Sequence, residues 1–180
     1  MAYKFNAPAG QTIERKLFLC CGNSGTYAAP VWSKIGRRCE DSSAEMDWQE
    51  ESSKGIYGDT FNAMKAPIMS QSFDPLPLEG DDAWQQHIWD LAVKDQDAAA
   101  LCNQDLLLVH LYAVDEKGAA FAERYPASMV KPSSLGGEGG GNLGMPTDVT
   151  FGGEREVGTA TVSADGTITF TKAAAAAEGK

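Results

Sequence analysis

The sequence predicts a mostly β domain with one helix, and three observations lead to that prediction. Short segments with alternating or continuous apolar patterns, typical of strands, are separated by Gly, Pro and Asp residues. Asp165-Gly166 lies between two such segments, and this dipeptide favours the positive φ of a tight hairpin turn. Residues 81–95 alone repeat apolar side chains clearly at helical spacing.

The predicted strands run along most of the chain. Residues 105–112 form a near-continuous apolar run, as in a strand that is buried on both faces. In residues 145–151 the odd positions are expected to share one face and Asp148 and Thr150 the other, because side chains alternate along a strand. The predicted strands are residues 17–21, 31–35, 43–52, 67–73, 105–112, 124–131, 145–151, 159–163 and 167–171.

Residues 44–51 have the clearest alternation in the chain. Glu45, Asp47 and Glu51 fall on one face of the predicted strand. Met46 and Trp48 fall on the other face and are expected to pack in the core. A row of carboxylates suits a surface that must not bind a polyanion, and it also suits an ordinary solvated strand face.

The predicted helix, residues 81–95, carries an apolar stripe. Trp84, Ile88 and Leu91 recur at helical spacing and are expected to pack in the core. Asp82 lies in the first turn and Lys94 in the last, where the helix dipole favours their charges. The neighbouring His87 has no second ligand at a suitable spacing, so we expect no metal there.

Composition limits the function. The chain has 180 residues and a formal net charge of −10, which argues against a protein that binds nucleic acid through phosphate contacts. It contains no apolar run long enough for a membrane helix and no apolar core of a signal peptide, so we expect cytosolic synthesis without membrane association. The four cysteines have no metal-binding spacing and are expected to be reduced and mostly buried.

A glycine-rich stretch contains one motif-like pattern. Gly139, Gly141 and Gly144 match the spacing of a dinucleotide-binding loop. That loop needs a helix after it, whereas Pro146 and a strand pattern follow here, and Glu138 would repel a pyrophosphate. We therefore expect a turn-rich loop and no nucleotide cofactor.

Two segments resemble one family of structural proteins. Residues 41–75, DSSAEMDWQEESSKGIYGDTFNAMKAPIMSQSFDP, and residues 121–160, FAERYPASMVKPSSLGGEGGGNLGMPTDVTFGGEREVGTA, are similar to the major tail proteins, or tail tube proteins, of long, non-contractile-tailed bacteriophages. The order of the elements is similar as well: strands, a central helix, an apolar strand, then a Gly-rich loop between strands. The resemblance covers residues 15–172.

The resemblance implies a β-sandwich or partial barrel flanked by one helix. Copies are expected to form hexameric rings with an inner β-barrel, and the rings to stack into a tube that conducts double-stranded DNA without binding it specifically. The implied partners are other copies of the chain and the tape-measure, tail-tip and terminator proteins of a tail. The expected location is the virion tail, after synthesis and assembly in the host cytoplasm. No catalytic residue, cofactor or metal is implied.

The resemblance also suggests roles for individual residues. Glu45, Asp47 and Glu51 are expected to face the lumen, and the loops 52–62 and 133–144 are expected to become ordered at contacts between subunits. The glycines expected to matter in those loops are Gly55, Gly58, Gly137, Gly139 and Gly141. The predicted organisation is an N-terminal arm, residues 1–16, the β domain, residues 17–172, and a flexible tail, residues 173–180.

Three alternatives remain open at this point. The chain could be the tube protein of a contractile tail or secretion machine, which shares the fold. It could be a free-standing acidic β-sandwich that binds a partner and stays monomeric. An acidic hydrolase would need converging acid and base groups, which the sequence does not display.

Overall fold

The computed structural model describes residues 2–174, and strands dominate this part of the chain. The strands are β1 (Lys4–Phe5), β2 (Phe18–Asn23), β3 (Trp32–Lys34), β4 (Ala44–Asp47), β5 (Glu51–Lys54), β6 (Thr60–Ala63), β7 (Ile68–Phe73), β8 (Gln104–Val114), β9 (Ala120–Pro132), β10 (Thr147–Thr150), β11 (Glu156–Val162) and β12 (Ile168–Lys172). The helical elements are a 3-10 turn (Arg15–Leu17), α1 (Ala83–Trp89) continued by a π-helical turn (Asp90–Lys94), and α2 (Ala98–Leu101). The predicted mainly β fold with a flanking helix is confirmed.

Two antiparallel sheets share the long strand β9. Sheet A contains β3, β2, β8, the N-terminal half of β9, β11 and β12 in that order, with β1 beside the end of β8. Sheet B contains the C-terminal half of β9, β10, β7 and β4. Strands β5 and β6 pair only with each other among the described residues.

A bend in β9 carries the chain from one sheet to the other. The bend occurs around Ala127, opposite the connection between β10 and β11. Gly152 and Gly153 approach the bend so closely that a Cβ on Gly152 would lie 2.6 Å from the Ala127 carbonyl oxygen. Gly153 also has a φ of +82°, which favours glycine. These glycines let both strands turn together into sheet B.

The main core lies between the two sheets and is closed by α1. Trp84 and Ile88 of α1 are fully buried and pack with side chains from both sheets. Trp84 lies so close to β2 that a Cβ on Gly22 would be 2.0 Å from the indole nitrogen. Asp82 caps the helix by accepting hydrogen bonds from the backbone N–H groups of Trp84 and Gln85. Met145, Thr147, Val149 and Phe151 are all buried, as their predicted common face requires.

A second apolar cluster covers the opposite face of sheet A. It includes Leu107 and Val109 of β8, Trp32 of β3 and Ile168 of β12. The cluster runs across all six strands of sheet A, from β3 at one end to β12 at the other.

Two predicted elements are interrupted. The helix predicted over residues 81–95 becomes a π-helical turn after Trp89, which rotates the following side chains, so Leu91 is only partly buried. The strand predicted over residues 43–52 ends at Asp47, because Gln49 has a φ of +48° and its N–H binds the Asp47 carboxylate. The chain resumes as β5, which pairs with β6 where the sequence predicted a loop over residues 52–62.

The sequence also led to predictions for the two chain ends and for the cysteines. Part of the N-terminal arm pairs with β8 through β1, and residues 175–180 of the predicted flexible tail lie outside the described residues. All four cysteines are free. Cys20 and Cys21 are buried, and burial raises the pKa of the Cys21 thiol to about 12, whereas Cys39 is half-buried and Cys102 is exposed. In the described part of the chain no helix is long and apolar enough to cross a membrane.

Candidate assembly surfaces

The outer face of sheet B carries polar side chains on all four of its strands. The strand register places Glu45 and Thr150 on either side of Ser70, and Ser72 and Lys131 on either side of Asp148. These side chains are hydroxyl or charged groups on a sheet whose other face is packed against the core. Ile68 of β7 and Met129 of β9 are exposed apolar residues on the same face. The face therefore offers mainly hydrogen-bonding and ionic groups.

Asp148 lies at the centre of this polar face. Its carboxylate accepts a hydrogen bond from Ser72 Oγ at 2.8 Å and lies 3.2 Å from Lys131 Nζ. The hydrogen bond from Ser72 and the interaction with Lys131 hold the pKa of Asp148 below its usual value. Lys131 is thus paired, and Glu45 and Asp47 leave the face with a net negative charge.

The three carboxylates predicted to form one row are divided between two parts of the structure. Glu45 and Asp47 share a face of β4 with Ile68 and Ser70 of β7 as their register partners. Glu51 lies on β5, where its carboxylate is 3.4 Å from Lys65 Nζ. The division follows from the break after Asp47, which ends the continuous alternation that the prediction assumed.

The prediction that Met46 and Trp48 pack in the core is wrong for the free subunit. Met46 is 54% exposed and Trp48 is 43% exposed. Met46 does lie opposite buried Met69, so its face of the strand was predicted correctly. It remains exposed because β4 is an edge strand at which the packed layers end.

The segment from residue 48 to residue 66, which we call the arm, projects beyond sheet B. A backbone hydrogen bond from Lys65 N to Trp48 O at 3.0 Å joins its two ends, and β5 and β6 extend it as a hairpin. At the tip Gly58 has a φ of +89°, and a Cβ on Gly55 would lie 3.0 Å from the Phe61 ring. Both predicted glycines therefore shape this hairpin.

The arm exposes large apolar side chains. Ile56 and Tyr57 at the tip are 93% and 90% exposed. Every residue of β5 and β6 is exposed, including Phe61. Patches of exposed apolar side chains of this kind mark surfaces that bind another molecule. In the sequence, these exposed side chains were visible only as apolar residues inside a predicted loop.

The Gly-rich loop, residues 133–144, continues the β9–β10 hairpin away from sheet B. Ser133 N donates to Pro146 O at 2.8 Å, and Gly136 and Gly144 exchange two backbone hydrogen bonds. Gly137 packs so tightly that a Cβ there would lie 2.2 Å from the Asn142 carbonyl oxygen, and Gly141 N donates to Glu138 O. Gly139 has open space around it.

Two ionic clusters, each with one buried member, were not visible in the sequence. Arg124 Nε donates to Asp105 Oδ1 at 2.9 Å, and the guanidinium lies 3.9 Å from the centre of the Tyr27 ring. Arg155 Nε donates to Glu123 Oε1 at 2.9 Å on the other face of sheet A. Burial alone would raise the pKa of Glu123, but His110 and Arg155 outweigh it and lower that pKa.

Comparisons with known proteins give distant structural neighbours. No protein-family model and no curated protein matches the sequence. The structure is similar to a chain of the sheath–tube complex of an extracellular contractile injection system, PVC, in the extended state, at 7% identity and a TM-score of 0.49, over 84% of this chain and 94% of that chain. It is also similar to a chain of the cap that terminates the tube of the anti-feeding prophage, at 11% identity and a TM-score of 0.45, over 86% and 95%.

Proposed function

We propose that this chain is a structural tail-tube subunit, without catalytic activity, that assembles into stacked hexameric rings and conducts double-stranded DNA. The observation that carries the proposal is the architecture of sheet B, a polar, acidic face between two open sheet edges. The sequence resemblance to phage tail tube proteins supports the same function.

The two edges of sheet B have no strand partner among residues 2–174. β4 pairs with β7 alone, and residues 129–132 at the C-terminal end of β9 pair with β10 alone. An open edge is a liability for a monomer, because its unpaired backbone N–H and C=O groups can recruit another strand. Pairing of β4 in one copy with β9 in the next would extend the sheet in the same direction at every step, and a ring would close it.

The dimensions of such a ring suit a duplex. Six copies of this four-stranded sheet would close a barrel of about 24 strands, roughly 48 Å across between backbones at a strand spacing of about 4.8 Å and a tilt of about 40°. The apolar face of sheet B packs on the subunit's own core, so the polar face is left for the lumen. Glu45, Asp47 and Asp148 would then face the DNA and repel its phosphates within a Debye length of about 8 Å.

The arm would serve contacts beyond the ring's β-barrel. From Trp48 to the tip at Tyr57 is nine residues along the sequence, which spans about 30 Å in an extended strand. That reach is comparable to the subunit itself, so the apolar tip would bury its side chains against a neighbouring copy. Other tail proteins would meet the same surfaces at the two ends of the tube.

Charge reversal on the proposed lumen tests DNA conduction. Glu45→Lys/Asp47→Lys tubes should retain short duplexes that sediment with them at low salt and are released as salt rises. Glu116→Lys/Glu154→Lys, which makes the same charge change at exposed positions off this face, is the matched control. Duplex retention equal to that of the control would contradict the lumen assignment.

A second candidate function is the tube of a contractile tail or secretion machine, which the sequence resemblance leaves open. The ring and its polar lumen would be the same, but a sheath would surround the tube. A sheath gene beside the gene for this chain, followed by co-purification of the two proteins, would favour this candidate over the non-contractile tail.

A further inference from the structure

A cleft opens between the two sheets on the side where β3 and β4 lie. It has a volume of about 360 Å³ and an apolar floor that includes Ile35 and Phe73. Arg15, Lys16, Lys34 and Arg37 line it together with two carboxylates, Glu40 and Asp41, so its charged lining has a positive balance. Arg37 is paired with Glu79 at 3.2 Å, whereas Lys34 has no carboxylate within ion-pair distance among the described residues.

One buried polar atom in the wall of the cleft lacks a partner. Gln71 is only 2% exposed, and its Oε1 has no hydrogen bond within the described structure. The orientation of this amide is fixed, because Ser42 Oγ donates to Ser72 O at 2.6 Å and so accepts from Gln71 Nε2 at 2.8 Å. A buried acceptor without a donor costs free energy, so the cleft is suited to a ligand that brings an N–H group.

The combination of groups in the cleft selects an extended acidic peptide. A peptide backbone supplies the N–H that Gln71 lacks, an apolar side chain fits the floor, and a carboxylate suits Lys34. With a net charge of −10, copies of this chain repel one another in general, so a locally positive cleft is a place where one copy attracts another.

Strand directions point to one segment of the neighbouring copy. The directions alternate across sheet B, so β9 and β4 run in opposite senses, and rotation around a ring preserves them. If β9 of one copy pairs with β4 of the next, the chain after Pro132 runs past residues 43 to 39, and residues 39–42 form a wall of the cleft. That chain is the first half of the Gly-rich loop.

We infer that the cleft of each copy binds residues 133–138 of the adjacent copy, an inference that rests on the ring proposed above. Leu135, which is 44% exposed in the free subunit, fills the apolar floor. Glu138 is exposed and pairs with Lys34. A backbone N–H of the loop donates to Gln71 Oε1. The loop already extends the β9–β10 hairpin, so it docks without refolding.

A charge swap tests this contact in the full chain. Lys34→Glu and Glu138→Lys should each raise the protein concentration needed for assembly about tenfold, measured by sedimentation at low salt. The double variant Lys34→Glu/Glu138→Lys restores one pair at every interface and should return close to wild type. Lys117→Glu and Glu116→Lys, exposed residues of the turn between β8 and β9, are the controls and should change assembly little.

Single variants that assemble like their controls, or a double variant no better than the singles, would overturn the inference while leaving the ring intact. A wild-type chain that never assembles would overturn the ring proposal itself. The apolar anchor has its own matched pair: Leu135→Ser should weaken assembly about tenfold. Leu143→Ser, which changes a similarly exposed leucine on the returning half of the loop, should not. Equal effects of the two serine variants would contradict the docking of residues 133–138.

Discussion

The sandwich, which consists of sheets A and B and the helix α1 that closes their core, and the arm, residues 48–66, are both built mainly from antiparallel strands. They differ in what covers those strands. In the sandwich, β8 carries four consecutive fully buried residues, from Leu106 to Val109, and β7 buries alternate side chains. In the arm, every residue of β5 and β6 is exposed. Since an isolated two-stranded hairpin is at best marginally stable in water, the arm needs a partner for its stability and the sandwich does not.

The largest expected difference between the two regions is the effect of removing a tryptophan. Trp84→Ala should lower the free energy of unfolding by about 3–5 kcal/mol, because the ring is fully buried against Gly22 and the core. Trp48→Ala in the arm should change it by less than about 0.5 kcal/mol. Urea unfolding of both variants measures this, and similar losses would contradict the division into two regions.

Breaking a buried ion pair should give the next largest effect. Asp105→Asn leaves the Arg124 guanidinium buried without its carboxylate, which should cost about 3 kcal/mol. Asp59→Asn on the exposed arm is the matched change and should cost less than about 0.5 kcal/mol. If Asp105→Asn melts at the wild-type temperature, the Asp105–Arg124 pair does not stabilise the fold as expected.

Acid should destabilise the sandwich through Glu123. Because the folded pKa of Glu123 is lowered from 4.5, its contribution to stability is complete above the unfolded pKa and is lost as the pH falls through the folded pKa. Glu123→Gln should therefore flatten the loss of stability below about pH 4.5. Glu50→Gln, at an exposed position, should leave this loss of stability in acid unchanged. Thermal melts between about pH 3 and 7 measure this, and the same loss of stability in acid for the two variants would contradict the role of Glu123.

The smallest effect on the free subunit should come from the tip of the arm. Ile56→Ser/Tyr57→Ser removes two side chains that contact little in the subunit, so the melting temperature should stay unchanged. Assembly should nevertheless weaken, because the same side chains are expected to be buried between copies. Hydrogen exchange should show β6 amides unprotected in the subunit and protected in the tube; equal protection in both would contradict the contact.

The sequence predicted what depends on local pattern. The common face of Met145, Thr147, Val149 and Phe151, the burial of Trp84 and Ile88, and the turn at Asp165-Gly166, where Gly166 has a φ of +89°, all follow from alternation, helical spacing or turn chemistry. The polar side of β4 was predicted for the same reason.

The remaining features depend on distant residues or on single backbone angles. The break after Asp47 rests on the positive φ of Gln49, which alternation cannot reveal. Met46 stays exposed because β4 is an edge, a property of the whole sheet order. The pairing of Glu123 with Arg155 joins residues 32 positions apart, and no spacing in the sequence marks it.

Electron microscopy of the concentrated protein tests the central claim most directly. The account predicts rings or stacked tubes of uniform diameter, with six-fold symmetry and a central hole wide enough for a DNA duplex. Discrete globules at every concentration and salt condition, with β4 and the C-terminal half of β9 still open to hydrogen exchange, would contradict it.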